Sequence, residues 1–258
     1  MFRFVLCFVV LAATTCASDL GRDLARRHSE RSGGRTRALQ SLYAEGRTLV
    51  GDEIIDFKLW AARPGQLRLE STSPQRRVTQ IFDGSHEPLI SNSEVEGGRP
   101  LRMSPRERTD FIANADFDGP LVDFELKGYT VDYAGEDLVH GRPASKLLVM
   151  SARDDIFFLW IDNETAEIVR RSVFRIAREQ RVMVESIFSE FREIDGTLQP
   201  QRIETKVGDK TLYVMVFSKM ELNSTRVTPE RFAVPEAWPR LSVGYPPTAE
   251  PNPAARQP

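Results

Sequence analysis

The sequence predicts a mainly β fold with helices, built on one antiparallel, strongly curved sheet of about nine to eleven strands. Three observations predict it. The first is the run Ile156-Phe157-Phe158-Leu159-Trp160-Ile161, apolar without a break. It is largely β-branched or aromatic and too short for a buried helix. The polar cluster Asp162-Asn163-Glu164-Thr165 follows with turn chemistry, and residues 167–174 read as a return strand. The first arm of this hairpin is apolar on both faces, so both must be covered, which places it inside a large sheet. The second observation is the succession of strand-like runs before it, at 129–133 and 145–150, and after it, at 182–191, 201–207 and 211–222. The third is that helical signals are few and short.

The elements follow in order. Met1-Phe2-Arg3 precedes an apolar run over 4–13, and Thr15-Cys16-Ala17 offers small residues at its end. This is the order of a secretory signal peptide, residues 1–17, with cleavage near Ala17. The alternative is lipid attachment at Cys16, although Thr14-Thr15 stand where Gly or Ala is usual. The run is too short to span a bilayer. Both cysteines, Cys7 and Cys16, lie in this leader, so the mature chain has no disulfide, no thiol catalysis and no Cys-based zinc site. The whole chain carries 35 basic and 37 acidic side chains, net −2, and loss of Arg3 with the leader adds one negative charge. That near-balance argues against nucleic acid as a partner.

Residues 19–43 read as helix interrupted at Ser32-Gly33-Gly34, with Leu20 and Leu24, then Ala38, Leu39 and Leu42, as an apolar stripe on two short helices. The arginines among them form a solvated face. From Ala44 the period becomes two: Ile55, Phe57 and Leu59 point one way, Asp56 and Lys58 the other. Arg63-Pro64-Gly65-Gln66 is a turn, and Leu67 and Leu69 open the next strand. Residues 78–82 form another, closed by Asp83-Gly84 as a tight hairpin turn before a weak return arm over 88–94. Ser104-Pro105-Arg106-Glu107 starts a helix with a cap, a first-turn proline and a reciprocal glutamate. It runs to about Ala115 and breaks at 116–120. Residues 121–126 read as another pair of helical turns, ended by Gly128. These helical pieces interrupt the strands, so they lie over the sheet or across its opening. Asp195-Gly196 is the clearest later turn. After Val234 the prolines make 236–258 a tail unlikely to fold. The organisation is leader, one domain over 18–235, and tail.

His28, His86 and His140 have no paired metal spacing, and no nucleophile elbow, phosphate loop or dinucleotide glycine pattern is present. Asp116-Phe117-Asp118-Gly119 resembles the start of a calcium loop, but the later Gly and bidentate Glu are not at their spacing; a helix exit with capping carboxylates accounts for it. Asn163-Glu164-Thr165 and Asn223-Ser224-Thr225 match glycosylation acceptors, a match common by chance. The chain reads as a binding protein, not an enzyme, with no cofactor and no metal.

Several motifs in order carry a resemblance: Arg63-Pro64 between two strands, Phe82-Asp83-Gly84, Leu159-Trp160-Ile161-Asp162, Thr165-Ala166-Glu167, and Leu198-Gln199-Pro200-Gln201-Arg202-Ile203 after an Asp-Gly turn. Over roughly Asp19 to Pro235 the chain resembles the LolA-type periplasmic carriers and the broader outer-membrane lipoprotein-sorting family. The resemblance implies an incomplete antiparallel β-barrel with a helical lid over an apolar cavity. It implies a periplasmic, monomeric carrier that shelters acyl chains of a lipoprotein or lipid on the way to the outer membrane, with an inner-membrane release complex and an outer-membrane acceptor as further partners. It also includes envelope-stress regulators, so a lipid- or lipoprotein-sensing regulator is the alternative. Burying a methylene is worth roughly 0.8 kcal/mol, so about fifteen of them would cost on the order of 12 kcal/mol to expose. An acylated cargo therefore needs cover.

The expected cavity is lined by Ile55, Phe57, Leu59, Leu69, Phe82, Tyr129, Val131, Phe157 and Leu159, with Phe111 and Phe117 from the lid. Strand alternation puts the first three on the side of Arg63. In the carriers the Arg of the Arg-Pro motif bonds to the lid, and Arg63 takes that place here: a guanidinium on an apolar face needs acceptors, and carbonyls at the lid's helix ends are left over by helix geometry. The alternative is that Arg63 begins the Pro64-Gly65 turn and lies in solvent.

Overall fold

A computed structural model of the protein describes residues 19–33, 39–92, 100–151, 155–177 and 180–234. The expected leader with Cys7 and Cys16, Ala38, and the tail from Pro235 lie outside them.

Strands dominate. They are β1 (Ser41–Val50), β2 (Glu53–Ala62), β3 (Gln66–Thr72), β4 (Arg77–Phe82), β5 (Leu89–Asn92), β6 (Pro100–Arg102), β7 (Thr130–Val139), β8 (Arg142–Met150), β9 (Ile156–Asp162), β10 (Ile168–Ala177), β11 (Gln180–Ser189), β12 (Arg192–Ile194), β13 (Thr197–Gln199), β14 (Arg202–Val207) and β15 (Lys210–Leu222). Hydrogen-bonded neighbours run β6-β5-β4-β3-β2-β1-β15-β14-β11-β10-β9-β8-β7, and β12 pairs with β13 alone. The order ends at β6 and β7 without closing, so the sheet is open. It holds thirteen strands among the described residues, not nine to eleven. The surplus comes from β1, whose first residues read as helix, and from β6, too short to alternate.

The described residues divide into two compact units, one within 19–33 and 120–216, the other within 39–119 and 217–234. In the first, helix α1 (residues 19–28) runs into a π-helical turn, Ser29–Gly33. The second helix expected near Leu42 is not formed: Leu42 and Ala44 lie on β1 opposite Ala61 and Leu59, because a strand buries them against a neighbouring strand. Helix α1 lies so tightly on the edge strand β7 that a Cβ on Gly21 would sit 2.6 Å from the Tyr133 amide nitrogen. Only glycine fits there. Ala25 and Leu24 pack with Leu121, Phe124, Leu147, Val149 and Ile161 in one apolar cluster. Residues 121–128 supply two of these side chains but form turns, not helix; Asp123, at φ 52°, interrupts the helical path.

As expected, β9 is an interior strand with both faces covered. Phe157, Leu159 and Ile161 face the α1 cluster, while Trp160 packs with Val139, Ala144 and Phe158 on the other side. Cationic stems complete that second cover: Lys146 Nζ is 4.3 Å from the Phe158 ring centre and the Arg170 guanidinium 4.2 Å from that of Trp160.

The turn from β9 to β10 is built by Asp162. Its Oδ1 accepts from the amides of Glu164 (3.0 Å) and Thr165 (2.8 Å), and its Oδ2 accepts from Arg142 Nε at 2.7 Å. Helix α1 and the π-helical turn after it then bind the far side of the turn. Arg27 donates to the Asn163 carbonyl at 3.0 Å, Arg31 to the Glu164 carbonyl at 2.7 Å, and His28 Nδ1 to the Ala166 carbonyl at 2.7 Å. A carbonyl only accepts, so Nδ1 carries the proton. His28 is 5% exposed, and burial pushes its pKa down against the opposing pull of the Ala166 bond. The sign follows from that direction. The neutral ring contributes stability at pH above its unfolded value of about 6.5, and that contribution is lost as pH falls from there through the folded value. The protection factors of the α1 amides, their exchange rates referred to the intrinsic rate at each pH, are therefore expected to fall between pH 7 and 5 in the natural chain. A His28→Gln variant should lack that pH step; an equal step in both would remove His28 as its cause.

In the second unit β1 to β6 carry helix α2 (Pro105–Ala115). Its start is the expected capping box: the Glu107 amide donates to Ser104 Oγ (3.3 Å) and Glu107 Oε2 accepts from the Ser104 amide (2.9 Å). Phe111 and Ala115 bury against Ala61, Leu67, Phe82 and Met103. Arg108 ties the helix to Glu87 at 3.1 Å. Asp83-Gly84 does not make the expected tight hairpin; β4 ends at Phe82 and β5 begins at Leu89. Asp83 instead folds a longer loop by accepting from the amides of Ser85 (2.9 Å) and His86 (2.8 Å). On the opposite sheet face Tyr43 and Trp60 enclose Phe232, from a 3-10 turn at Pro229–Phe232.

Candidate functional site

Alternation on β2 carries Ile55, Phe57, Leu59 and Ala61 on one face, with Trp60 on the other. The antiparallel register sets Leu59 opposite Leu69 and Ala61 opposite Leu67, and Leu67 opposite Phe82. Leu59, Leu69, Phe82, Phe111 and Phe117 gather around the α2 cluster. Phe57 lies further along β2 and is buried edge-on against Phe217, with ring centres 5.4 Å apart. Ile55, next on the same face, is half-buried.

Arg63 stands just past the end of β2. Its backbone amide donates to the Gln40 carbonyl at 3.0 Å and its Nε to the Leu39 carbonyl at 2.7 Å. The guanidinium forms an ion pair with Asp118, in the segment that leaves α2, and lies 5.7 Å from the centre of the Phe117 ring. The Asp118 side chain is 3% exposed and that of Arg63 34%. One partner is thus desolvated and the other still touches water. Such a pair holds the segment in place, yet it opens at less cost than one buried on both sides. Asp118 had been legible only as a helix-exit carboxylate; no spacing in the sequence links it to Arg63, 55 residues away.

Tyr129, Val131, Phe157 and Leu159 gather in the first unit, around the α1 cluster. Tyr129 and Phe157 meet edge-on at 6.2 Å. The same sheet face continues through Val173 on β10, which packs against the α1 cluster, to Val184 and Phe188 on β11 and Ile203 on β14, all half-buried. Arg171 shares that face, its guanidinium 5.0 Å from the Phe157 ring centre. Sequence reasoning passed over Arg171, because Arg170-Arg171 reads as one charge pair until the register separates them onto opposite faces. Among the described residues no group of three or more His, Cys, Asp or Glu is placed to hold a metal ion, and no helix is long and apolar enough to cross a membrane.

Together these features define a mainly β protein with an open antiparallel sheet and a helix packed on an apolar sheet face in each unit. No family model matches the chain and no curated protein matches it. Solved structures do. A DUF1329 family protein from Desulfovibrio piger superposes with a TM-score of 0.57 at 14% identity, over 84% of this chain and 97% of that one. A domain assigned to outer membrane lipoprotein sorting, from Vibrio parahaemolyticus, gives 0.57 at 9% identity, over 83% and 97%. A LolA superfamily protein from Nitrosomonas europaea gives 0.56 at 14% identity, over 83% and 97%. The fold is therefore the LolA-like one that the order of motifs implied.

Proposed function

We propose that the protein is a periplasmic binding and carrier protein, not an enzyme, which shelters acyl chains of a lipoprotein or lipid during transport to the outer membrane. The observation that carries this reading is the Arg63–Asp118 pair. A helix-bearing segment lies on an apolar sheet face, and a half-exposed polar bond clips its end there. Acyl chains need an apolar face that is covered when empty and uncovered at modest cost when loaded. The faces bearing Ile55, Phe57, Leu59, Leu69, Phe82, Phe111 and Phe117 in one unit and Tyr129, Val131, Phe157 and Leu159 in the other are the surfaces offered to such chains. The lipoprotein-sorting fold supports the reading, and an inner-membrane release complex and an outer-membrane acceptor are the partners it calls for.

The test is extraction of protein purified from its own cell envelope, followed by mass spectrometry. Acyl lipid or an acylated peptide is expected in near-stoichiometric amount. Protein that carries none, and fails to raise the fluorescence of an apolar dye, overturns the proposal. Arg63→Leu should keep the circular dichroism of the natural chain and release bound lipid more slowly, on the order of tenfold, the factor that about 1.4 kcal/mol makes, because the bond it removes is made only in the covered, empty state. Unchanged exchange in that variant would reduce Arg63 to a turn residue.

A further inference from the structure

Four strands of the first unit reach one end of the sheet together. There β8 ends at Met150 and β9 begins at Ile156, while β10 ends at Ala177 and β11 begins at Gln180. The registers line up their last residues on the face of Trp160, away from α1. Met150 pairs with Ile156. Phe174, one residue beyond the Val173–Phe157 pair, stands beside Ile156 and pairs with Met183. Ile176, two residues further out, pairs with Arg181. Met150, Ile156, Ile176 and Met183 are exposed, Ile176 by 73%. The Arg181 guanidinium lies 4.0 Å from the Phe174 ring centre.

This apolar band is shallow. One row back along the strands, Ser172 Oγ donates to Glu185 at 3.0 Å, Arg170 pairs with Glu185, and Lys146 covers Phe158. Two residues of strand span about 7 Å, and four neighbouring strands roughly 20 Å. The footprint is then on the order of 100 Å², far short of the roughly 800 Å² per partner that a stable protein interface buries. A depth of about 7 Å fits instead the boundary between lipid headgroups and acyl chains, which amphipathic surfaces enter by about 5–10 Å. Hairpin turns can rest at that level because their amides still meet water there. Charge points to anionic headgroups. In sequence, residues 174–183 hold Arg175, Arg178 and Arg181 against Glu179, on a chain of net charge −2. An arginine stem lies along apolar groups while its head reaches phosphate.

We infer that this end of the sheet docks on a bilayer surface with anionic headgroups, with Met150, Ile156, Ile176 and Met183 at the acyl boundary and Arg181 at lipid phosphate. The carrier reading concerns the opposite, α1-covered face, so docking here needs no acyl cargo in the protein.

The test is flotation of the full chain with vesicles of phosphatidylcholine alone and of phosphatidylcholine mixed with phosphatidylglycerol. Binding to the mixed vesicles is expected to be about tenfold stronger, because several cations act together near an anionic surface, and to weaken as salt rises. Ile176→Ser should weaken it about tenfold, the factor for withdrawing one aliphatic side chain from an apolar boundary. Arg181→Gln should cost about fivefold on mixed vesicles and nothing on neutral ones. Leu138→Ser, also exposed but at the opposite end of β7, should change nothing. Circular dichroism and a melting curve establish that each variant folds. Binding to neither vesicle, equal binding to both, or binding that Ile176→Ser and Arg181→Gln leave unchanged overturns the inference. Self-association through Ile176 without vesicle binding gives the band to a second copy of the chain and overturns it as well. Protein free of acyl lipid that still floats with the mixed vesicles supports the inference and overturns the carrier reading alone. Protein loaded with acyl lipid that does not float overturns the inference alone.

Discussion

Replacing Phe232 with Ala is expected to cost roughly 3–5 kcal/mol, the range for truncating a buried aromatic ring. Phe232 is 2% exposed and fills the space between Tyr43 on β1 and Trp60 on β2, whose rings are tilted at 5.5 Å. Around it, Arg231 lies 5.2 Å from the Trp60 ring centre, and Arg68 donates to the Arg231 carbonyl at 3.1 Å. The strands on either side cannot move together to close the gap, because their ladder fixes Tyr43 opposite Trp60. The void therefore persists, and the residues after β15 lose their anchor. Tyr43 gives a second readout. Burial and the nearby Glu45 push its phenol up to about 12, so loss of the ring above it should bring its ultraviolet titration down toward the ordinary value near 10. A melting temperature lowered by less than a few degrees would show that Phe232 is only a surface contact.

Asp162→Ala is expected to cost roughly 3 kcal/mol, because hydrogen bonds to a charged group are worth about 1.5–3 kcal/mol and several are lost at once, some of them regained from water. The carboxylate is 5% exposed and holds Arg142 and two amides of the β9–β10 turn. The Arg142 bond, helped by the Thr165 and Glu164 amides and opposed by burial, holds its pKa well below the usual carboxylate range. The stability it supplies is fully present above the unfolded value of about 3.9 and is lost as pH falls from there through the folded value. Denaturant melts at pH 7 should thus separate the two chains widely, and the gap should narrow below about pH 4. A gap independent of pH would mean that shape, not charge, is what Asp162 contributes.

Much of the fold was legible because its signals are local. The apolar run at β9, the Ser104–Glu107 box and the Asp195-Gly196 hairpin, with φ of 48° and 79° at its two turn residues, each follow from residues adjacent in sequence. The hairpin at His140-Gly141, also at positive φ, was passed over because His does not announce a turn. The helix expected through Leu42 failed because apolar spacing over a short stretch fits either period, and the partner that decides it, Ala61, is nineteen residues distant. Legibility at the candidate site divided the same way. Ile55, Phe57 and Leu59 could be put on one face by alternation alone. That Phe157 and Leu159 belong with α1, or that Arg63 meets Asp118, depends on register and chain reversal, which no local pattern encodes.

The contact of His28 with the Ala166 carbonyl spans 138 residues. The segment synthesised early thus waits for a turn made much later. Helix α1 samples its helical form within about a microsecond but is too short to keep it alone, and its docking partner exists only once β9 and β10 have paired. Until then β7 has no helix against it, and a strand at the end of a sheet with bare amides and carbonyls is a template for another chain. Time, not only stability, is therefore at stake in the N-terminal helix. The interval between the pairing of β7 with β8 and the arrival of Gly21 on β7 is the interval in which the chain is most open to joining its neighbours.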